Sequence, residues 1–219
     1  MSTLLPDEQP VIFIVDDDPS MRATLSDVMR SVGLAAQTFA SAEDFLRSKL
    51  PDAPGCLVLD VRLPGQSGLD FQRSLAESGM ELPVVFITGH GDVSTSVRAM
   101  KAGAVDFLTK PFRDQDLLDA VRVGIERDRV RREHAMDVAH LHERYRSLTQ
   151  RERDIMTLVV IGQPNKQIAA VLGLVEVTVK ADRRRIMHKM GARSLVELVR
   201  MADRLGNPEE KSSRQRRSA

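Results

Sequence analysis

Short apolar runs and amphipathic segments alternate along the first half of the chain. Runs of this kind occupy residues 11–15, 56–59, 83–88 and 104–108, with a weaker one at 34–39. Between them, apolar residues recur every three or four positions, which is typical of helices with one buried face. Strands that alternate with helices in this way form a parallel sheet covered on both faces. The pattern therefore predicts an α/β fold, a doubly wound, flavodoxin-like, five-stranded parallel sheet.

Turn and cap residues mark where several of these elements begin. Asp18 is placed to cap a helix whose first residue is Pro19. The segment from Ser41 to Asp44 predicts a capping box that opens a helix running through Leu50. The turn at residues 63–65 separates the third strand from a helix predicted at about 67–78. Residues 89–92 are predicted to form a flexible loop.

The second half of the chain has the pattern of a helical protein. A helix without a breaker is predicted from Asp114 to about Arg146, and its charged middle indicates a mostly solvated connector. Shorter helices follow, with a capping box at Thr149, a cap at Asn165 and a tight turn at Gly173. We therefore predict a first domain at 1–125, a connector at 126–146, a small all-α domain at 147–206 and a disordered tail at 207–219.

Charge separates the two halves. Residues 1–125 hold 11 Lys and Arg against 18 Asp and Glu, a net charge of −7. Residues 147–206 hold 11 against 6, a net charge of +5, which favours a polyanion such as nucleic acid as the partner of the second domain. The sequence contains no run of about 18 apolar residues, so no membrane span is predicted. The single cysteine, Cys56, is consistent with a cytoplasmic protein.

Candidate chemistry gathers where the predicted strands end. Asp16 and Asp17 follow the first strand, Asp60 ends the third, Thr88 ends the fourth and Lys110 follows the fifth. Carboxyl ends of parallel strands meet at one edge of a sheet, so these carboxylates would repel one another unless a cation lay between them. Oxygen ligands of this kind suit Mg²⁺. Lys110 would hold a phosphate, Thr88 would donate a hydrogen bond, and Asp60 would act as a nucleophile in phosphoryl transfer.

Other interpretations of these residues remain open. Charged residues often end strands at the solvent-exposed edge of a sheet with no further role, although all of these residues stand at the appropriate strand ends. A phosphatase with an Asp nucleophile and Mg²⁺ is a second possibility. Such enzymes place the nucleophile on the first strand, with a second Asp two residues later followed by Thr or Val. In this chain the second Asp, Asp18, is followed by Pro19, which departs from that pattern. A phosphatase would also leave the turn after Asp60 without an explanation.

The stretches VIFIVDDDPSMR, VLDVRLPGQSGLD, VVFITGHGD and DFLTKPF resemble the signature motifs of bacterial response-regulator receiver domains. The resemblance covers about residues 8–125. It implies that Asp60 accepts a phosphoryl group from a sensor histidine kinase. It also implies that Asp16, Asp17, Asp60 and the backbone carbonyl of Arg62 bind Mg²⁺. Thr88 and Phe107 would be the switch residues, and Lys110 would precede a cis proline.

Residues 148–199 resemble the LuxR-type helix-turn-helix, and the whole chain is similar to the FixJ/NarL group of transcriptional regulators. In that group the third helix of the unit enters the major groove of double-stranded DNA. The base-facing positions match Lys180, Ala181 and Arg184. The candidates for phosphate contact are Thr178, Arg183, Arg185 and Lys189.

This chain departs from the family pattern at two positions of the helix-turn-helix. Val175 stands where the family usually has a Ser that caps the helix. Asp182 stands where the family often has His, close to the DNA-facing side. Asp182 could repel phosphate, accept a hydrogen bond from a cytosine, or pair with Arg185 or Lys189 on its own helix.

The resemblance implies a regulator and not an enzyme. Phosphorylation of Asp60 would promote a homodimer and switch sequence-specific DNA binding, with RNA polymerase as a further partner. The alternative is a phosphorylation-switched protein-interaction module whose DNA binding is weakened at Asp182 and Val175.

Overall fold

The computed structural model describes residues 9–89 and 93–206, which fall into two compact units, Met1–Arg132 and Glu133–Ala219. Part of the predicted loop, residues 90–92, and the whole predicted disordered tail, 207–219, lie outside the described residues. The finer limits of 1–125, 126–146 and 147–206 stay predictions.

Within the described residues, the first unit contains a five-stranded parallel sheet of order β2-β1-β3-β4-β5. The strands are β1 (Val11–Val15), β2 (Ala35–Phe39), β3 (Gly55–Asp60), β4 (Val84–Thr88) and β5 (Asp106–Thr109). The predicted flavodoxin-like fold is confirmed. β5 begins two residues later than the apolar run suggested, because Ala104 and Val105 are buried in the turn that leads into it.

Helices cover both faces of this sheet. They are α1 (Pro19–Ser31), α2 (Ala42–Arg47), α3 (Gly68–Glu77) and α4 (Val93–Lys101), followed by α5 (Asp114–Arg146). The Asp18 side chain accepts a hydrogen bond from the Ser20 backbone and caps α1, as predicted. Ser41 caps α2 through the Asp44 backbone, which is one half of the predicted capping box. α2 ends at Arg47 and not at Leu50, because Ser48 already has an extended backbone.

The strands alternate their side chains between two cores. Phe13, Leu57 and Phe86 face one core, whereas Ile12, Val58 and Val85 face the other. The parallel register pairs Val15 with Leu59 and Asp60 with Ile87. The carboxyl ends of β1, β3 and β4 therefore meet at the same edge of the sheet.

The long helix α5 ends at Arg146, as predicted, but its charged middle is not simply solvated. Asp128 is fully buried, and its Oδ2 accepts hydrogen bonds from the Gly55 backbone (2.9 Å) and from Arg132 Nε (2.9 Å). Its Oδ1 accepts from Arg131 Nη2 at 2.7 Å. A buried carboxylate is stable only when its oxygens are satisfied, and here the satisfied oxygens attach α5 to the start of β3.

The second unit packs the end of α5 with α6 (Gln150–Val160), α7 (Asn165–Leu172), α8 (Glu176–Met190) and α9 (Leu195–Leu205). The capping box of Thr149 and Glu152 is formed, and Gly173 adopts the left-handed conformation (φ 66°). The prediction that Asn165 caps α7 is wrong. Pro164 occupies the cap position, and the Asn165 side chain accepts a hydrogen bond from Arg183 instead. None of the described helices is long and apolar enough to cross a membrane.

Candidate functional site

Asp16, Asp17 and Asp60 form an acidic cluster at the carboxyl edge of the sheet. A carboxylate oxygen of each lies within 4.8 Å of the others. Asp16 is fully buried and Asp60 is nearly so, whereas Asp17 is exposed. Burial of like charges this close together is unfavourable unless cations oppose them.

Lys110 supplies one such cation from the end of β5. Its Nζ lies 2.9 Å from Asp16 Oδ2 and 2.7 Å from Asp60 Oδ2. Burial disfavours the charged amine, but the hydrogen bonds and charges of Asp60 and Asp16 outweigh it and raise the pKa of Lys110. The Lys110 backbone donates to the Thr88 carbonyl at 2.7 Å, and the peptide bond to Pro111 is cis, as the resemblance implied.

Backbone groups orient the other carboxylate oxygens. Asp16 Oδ1 accepts from the Asp18 backbone and Asp60 Oδ1 from the Arg62 backbone, each at 2.8 Å. Gly68 lies against Asp60 so closely that a Cβ there would be 2.4 Å from the Asp60 carbonyl oxygen. The orientation of Asp60 thus depends on the loop that follows it as well as on β3.

Sequence reasoning missed Arg22, which supports the cluster from α1. Its Nη1 donates to the carbonyl oxygens of Asp16 (2.7 Å) and Asp17 (3.0 Å) and so holds the loop after β1. Its position four residues after the Asp18 cap, one turn along the helix, was the available signal.

The two predicted switch residues lie on neighbouring strands. Thr88 is fully buried at the end of β4 and pairs in register with Thr109. Phe107 on β5 is partly buried, and its ring centroid lies 6.3 Å from that of Phe86. Thr88 therefore ends a strand at the edge of the sheet that carries the acidic cluster, whereas Phe107 packs against the apolar core.

The acidic cluster fits a divalent cation. Three carboxylate oxygens within 4.8 Å of one another are the hard oxygen ligands that Mg²⁺ takes, and the exposure of Asp17 leaves an approach from solvent. The carbonyl of Arg62 as a further ligand stays a prediction. This edge therefore holds a nearly buried carboxylate, Asp60, beside a lysine and two further carboxylates.

In the second unit, α8 presents a basic surface on one side. The exposed residues of this surface are Lys180, Ala181, Arg184, Arg185 and His188. Ala181, Arg184, Arg185 and His188 border a shallow concavity together with Lys189. His188 was missed from the sequence, although it continues the spacing of Ala181 and Arg184 along one helical face.

The other predicted contact residues of α8 are partly buried or bonded to residues of neighbouring segments. Arg183 Nη1 donates to Asn165 Oδ1 at 2.7 Å, and Thr178 is half-buried. Lys189 Nζ lies 2.6 Å from Glu152 Oε2 and 3.2 Å from the Ser147 carbonyl. Two of the three ammonium donors of Lys189 are thus used within the protein, and its phosphate contact stays a prediction.

Asp182 does not lie on the basic surface, contrary to the DNA-contact role predicted for it. Its side chain is fully buried, 3.1 Å from Arg151 Nε and 3.2 Å from Arg185 Nη1. Of the roles left open by the sequence, the ion pair with Arg185 is present, and Arg151 was not foreseen. A carboxylate with no exposed surface cannot meet a base or a phosphate in this conformation. The helix start at Val175 lacks a side-chain cap, as expected from the sequence.

The fold and both sites agree with known families. Residues 12–122 match the model of the response regulator receiver domain, and residues 146–202 match that of bacterial regulatory proteins of the luxR family. The chain belongs to the response regulators with a LuxR-type DNA-binding domain. Its relatives include FixJ-type transcriptional regulators, and none of them supports the interaction-module alternative.

Individual relatives match over nearly the whole chain. Nodulation protein W of Bradyrhizobium diazoefficiens is 56% identical, over 90% of this chain and 86% of its own length. Response regulator protein TodT of Pseudomonas putida is 47% identical, over 91% and 88%. The solved structure of response regulator StyR is 46% identical with a TM-score of 0.78, covering 89% of this chain and 98% of its own.

Proposed function

We propose that Asp60 is the phosphoacceptor of a two-component system and that its phosphorylation controls DNA binding by α8. The observation that carries the proposal is the convergence of Asp16, Asp17 and Lys110 on the Asp60 carboxylate. The partners are a sensor histidine kinase and double-stranded DNA. Because bacterial DNA is cytoplasmic, we place the protein there.

The geometry around Asp60 suits an in-line phosphoryl transfer. An Asp60 carboxylate oxygen attacks the phosphorus, and the bond between phosphorus and the kinase histidine breaks as the new one forms. Lys110, now bridging Asp16 and Asp60, stabilises charge on the transferred group as a compact point charge. Mg²⁺ bound by Asp16, Asp17, Asp60 and the Arg62 carbonyl would further neutralise the phosphoryl oxygens.

Labelling of the full chain by a small phosphodonor such as acetyl phosphate tests this assignment. We expect an acid-labile acyl phosphate on the wild type, none on Asp60→Asn, and much less on Asp17→Ala. Asp27→Asn, which changes an exposed carboxylate on α1, is the matched control and should be labelled normally. Stoichiometric labelling of Asp60→Asn would refute the assignment.

Phosphorylation would be read out through Thr88 and Phe107. Movement of Thr88 toward the phosphoryl group would make room for Phe107 to repack, biasing a two-state surface toward a homodimer. The neighbouring helix α4 exposes Val93, Val97 and Met100, an apolar strip suited to such an interface. Light scattering should show a mass increase on phosphorylation. An unchanged mass at concentrations where phosphorylation activates DNA binding would contradict this step.

The basic surface of α8 is the proposed reading face in the major groove. Lys180, Ala181 and Arg184 are placed to meet base edges, and His188 extends the same face. Arg184→Ala should weaken binding to a selected genomic fragment more than to a shuffled fragment. Arg200→Ala, which removes an exposed charge from α9, is the control and should weaken both alike. If Arg184→Ala binds the selected fragment as tightly as the wild type, the placement of α8 in the major groove is wrong. In this proposal, dimers bound to promoter DNA recruit RNA polymerase.

A further inference from the structure

A carboxylate occupies the inner stripe of α8. The buried residues of this helix are Val179, Asp182, Ile186 and Met190, which follow a three-four-four spacing. Asp182 therefore points toward the interior with three apolar residues, and its exposure is zero. An apolar side chain at this position would avoid the large desolvation cost that a buried charge carries.

Ion pairs balance this charge and connect α8 to α6. Asp182 lies between Arg151 of α6 and Arg185 of α8, whose side chains remain 53% and 55% exposed. A second pair of reversed polarity, Glu152 with Lys189, joins the same helices further along. Among the described residues, neither Asp182 oxygen makes a well-aligned hydrogen bond, so the contacts to the arginines are mainly electrostatic.

We propose that Asp182 is a positioning and specificity-determining residue. It fixes the rotation of α8 on α6 and restrains the half-exposed guanidinium groups of Arg151 and Arg185. Restrained in this way, these cations contribute less to contacts with DNA phosphates, which carry no sequence information. The inference rests on the proposed function, since it assumes that α8 enters the major groove.

The electrostatic consequence is specific to this position. Asp182→Asn keeps the shape but removes the charge, so Arg151 and Arg185 become available to phosphates. Each additional phosphate contact steepens the dependence of log affinity on log salt by about 0.9. We therefore expect a slope steeper by about 1 to 2 and tighter binding to shuffled DNA. Because α8 also loses the contact that fixes its rotation on α6, the preference for the selected fragment should fall by about fivefold or more.

The control is Asp154→Asn, on α6. Asp154 is exposed and accepts a hydrogen bond from Gln150 at 2.8 Å, so its substitution changes the net charge equally without altering a residue of α8. Because this side chain faces solvent, the loss of its charge should tighten binding to both fragments by similar factors. Arg151→Gln, which removes the partner on α6 and leaves Asp182 paired with Arg185 only, provides a second variant. It should lower the preference for the selected fragment without steepening the salt slope.

The experiment measures affinities of the full chain for a fragment selected from genomic DNA and for its shuffled version, between 50 and 300 mM salt. Thermal melts of both variants set the temperature of the binding assay below the lower melting temperature, so that each affinity is measured on folded protein. If Asp182→Asn and Arg151→Gln both keep the wild-type preference, the inference is overturned while the proposed function stands. If the wild type itself does not prefer the selected fragment, the proposed function fails first.

Discussion

Gly68→Ala should impair Asp60 without changing any charged group. A Cβ at position 68 would lie 2.4 Å from the Asp60 carbonyl oxygen, 3.1 Å from Val61 Cα and 3.2 Å from the Asp60 carbonyl carbon. These are backbone atoms, which cannot turn aside as a flexible side chain would. Relief of the overlap to an ordinary contact requires a shift of about 1 Å between α3 and the end of β3.

The magnitude follows from the size of that shift. Over-packing of this kind costs about 1–3 kcal/mol of stability. A displacement of about 1 Å at a reacting group lowers a positioned reaction on the order of 100-fold. We therefore expect Gly68→Ala to remain folded at room temperature but to lose most of its rate of labelling by a small phosphodonor.

Gly124→Ala is the matched control for stability. A Cβ there would lie 2.4 Å from Cys56 Sγ, a similar overlap on β3 but away from Asp60. This variant should also melt at a lower temperature, yet it should be labelled at nearly the wild-type rate. Labelling of Gly68→Ala at the wild-type rate, or equal losses in both variants, would refute the link between the α3 approach and Asp60.

Further predictions concern buried ionisable groups. Burial raises the pKa of the Cys56 thiol to about 12, so this thiol should resist alkylation by iodoacetamide in the native protein at pH 8. Because the thiol ionises in the unfolded chain above about pH 9 but not in the folded protein, the free energy of unfolding should fall above that pH. Burial opposes ionisation of Glu152, but Lys189 and Thr149 outweigh it and lower its pKa. The ionised Glu152 side chain therefore stabilises the fold at pH values above its ordinary pKa, and this stabilisation is lost as the pH falls through the lowered pKa of the folded state. The difference in melting temperature between the wild type and Glu152→Gln should accordingly narrow in acid. Asp128→Ala should cost about 1–3 kcal/mol in denaturant unfolding, because the buried Gly55 N–H loses its acceptor while the partly exposed Arg131 and Arg132 can be solvated; an unchanged midpoint would contradict this role.

The sheet and the location of its acidic edge were predictable because local patterns determine them. The apolar run that ends at Asp60 and the turn after it indicate both the strand and its orientation. Parallel topology then brings Asp16 and Lys110 to the same edge. Arg22 was not found, since its spacing from Asp18 suggests an ion pair on the helix, whereas its contacts are to the backbone carbonyls of Asp16 and Asp17.

Contacts between helices account for what the sequence did not show in the helical unit. The capping role of Asn165 was wrong, the pair of Asp182 with Arg185 was one of the roles left open, and the pair of Lys189 with Glu152 was not foreseen. Their partners, Arg151, Glu152 and Arg183, lie on other helices, and only packing brings them together. The spacing of Asp182 with Val179 and Ile186 did indicate burial, but a carboxylate in an apolar stripe is rare enough that residue type outweighed periodicity.

Simultaneous measurement of phosphorylation and DNA binding tests the central claim most directly. The full chain is incubated with acetyl phosphate and Mg²⁺, the phosphorylated fraction is determined by intact mass, and the same samples are titrated with the selected genomic fragment. The account predicts that specific affinity rises with the phosphorylated fraction in the wild type and stays at the basal value in Asp60→Asn. Equal affinity of phosphorylated wild type and Asp60→Asn would contradict it.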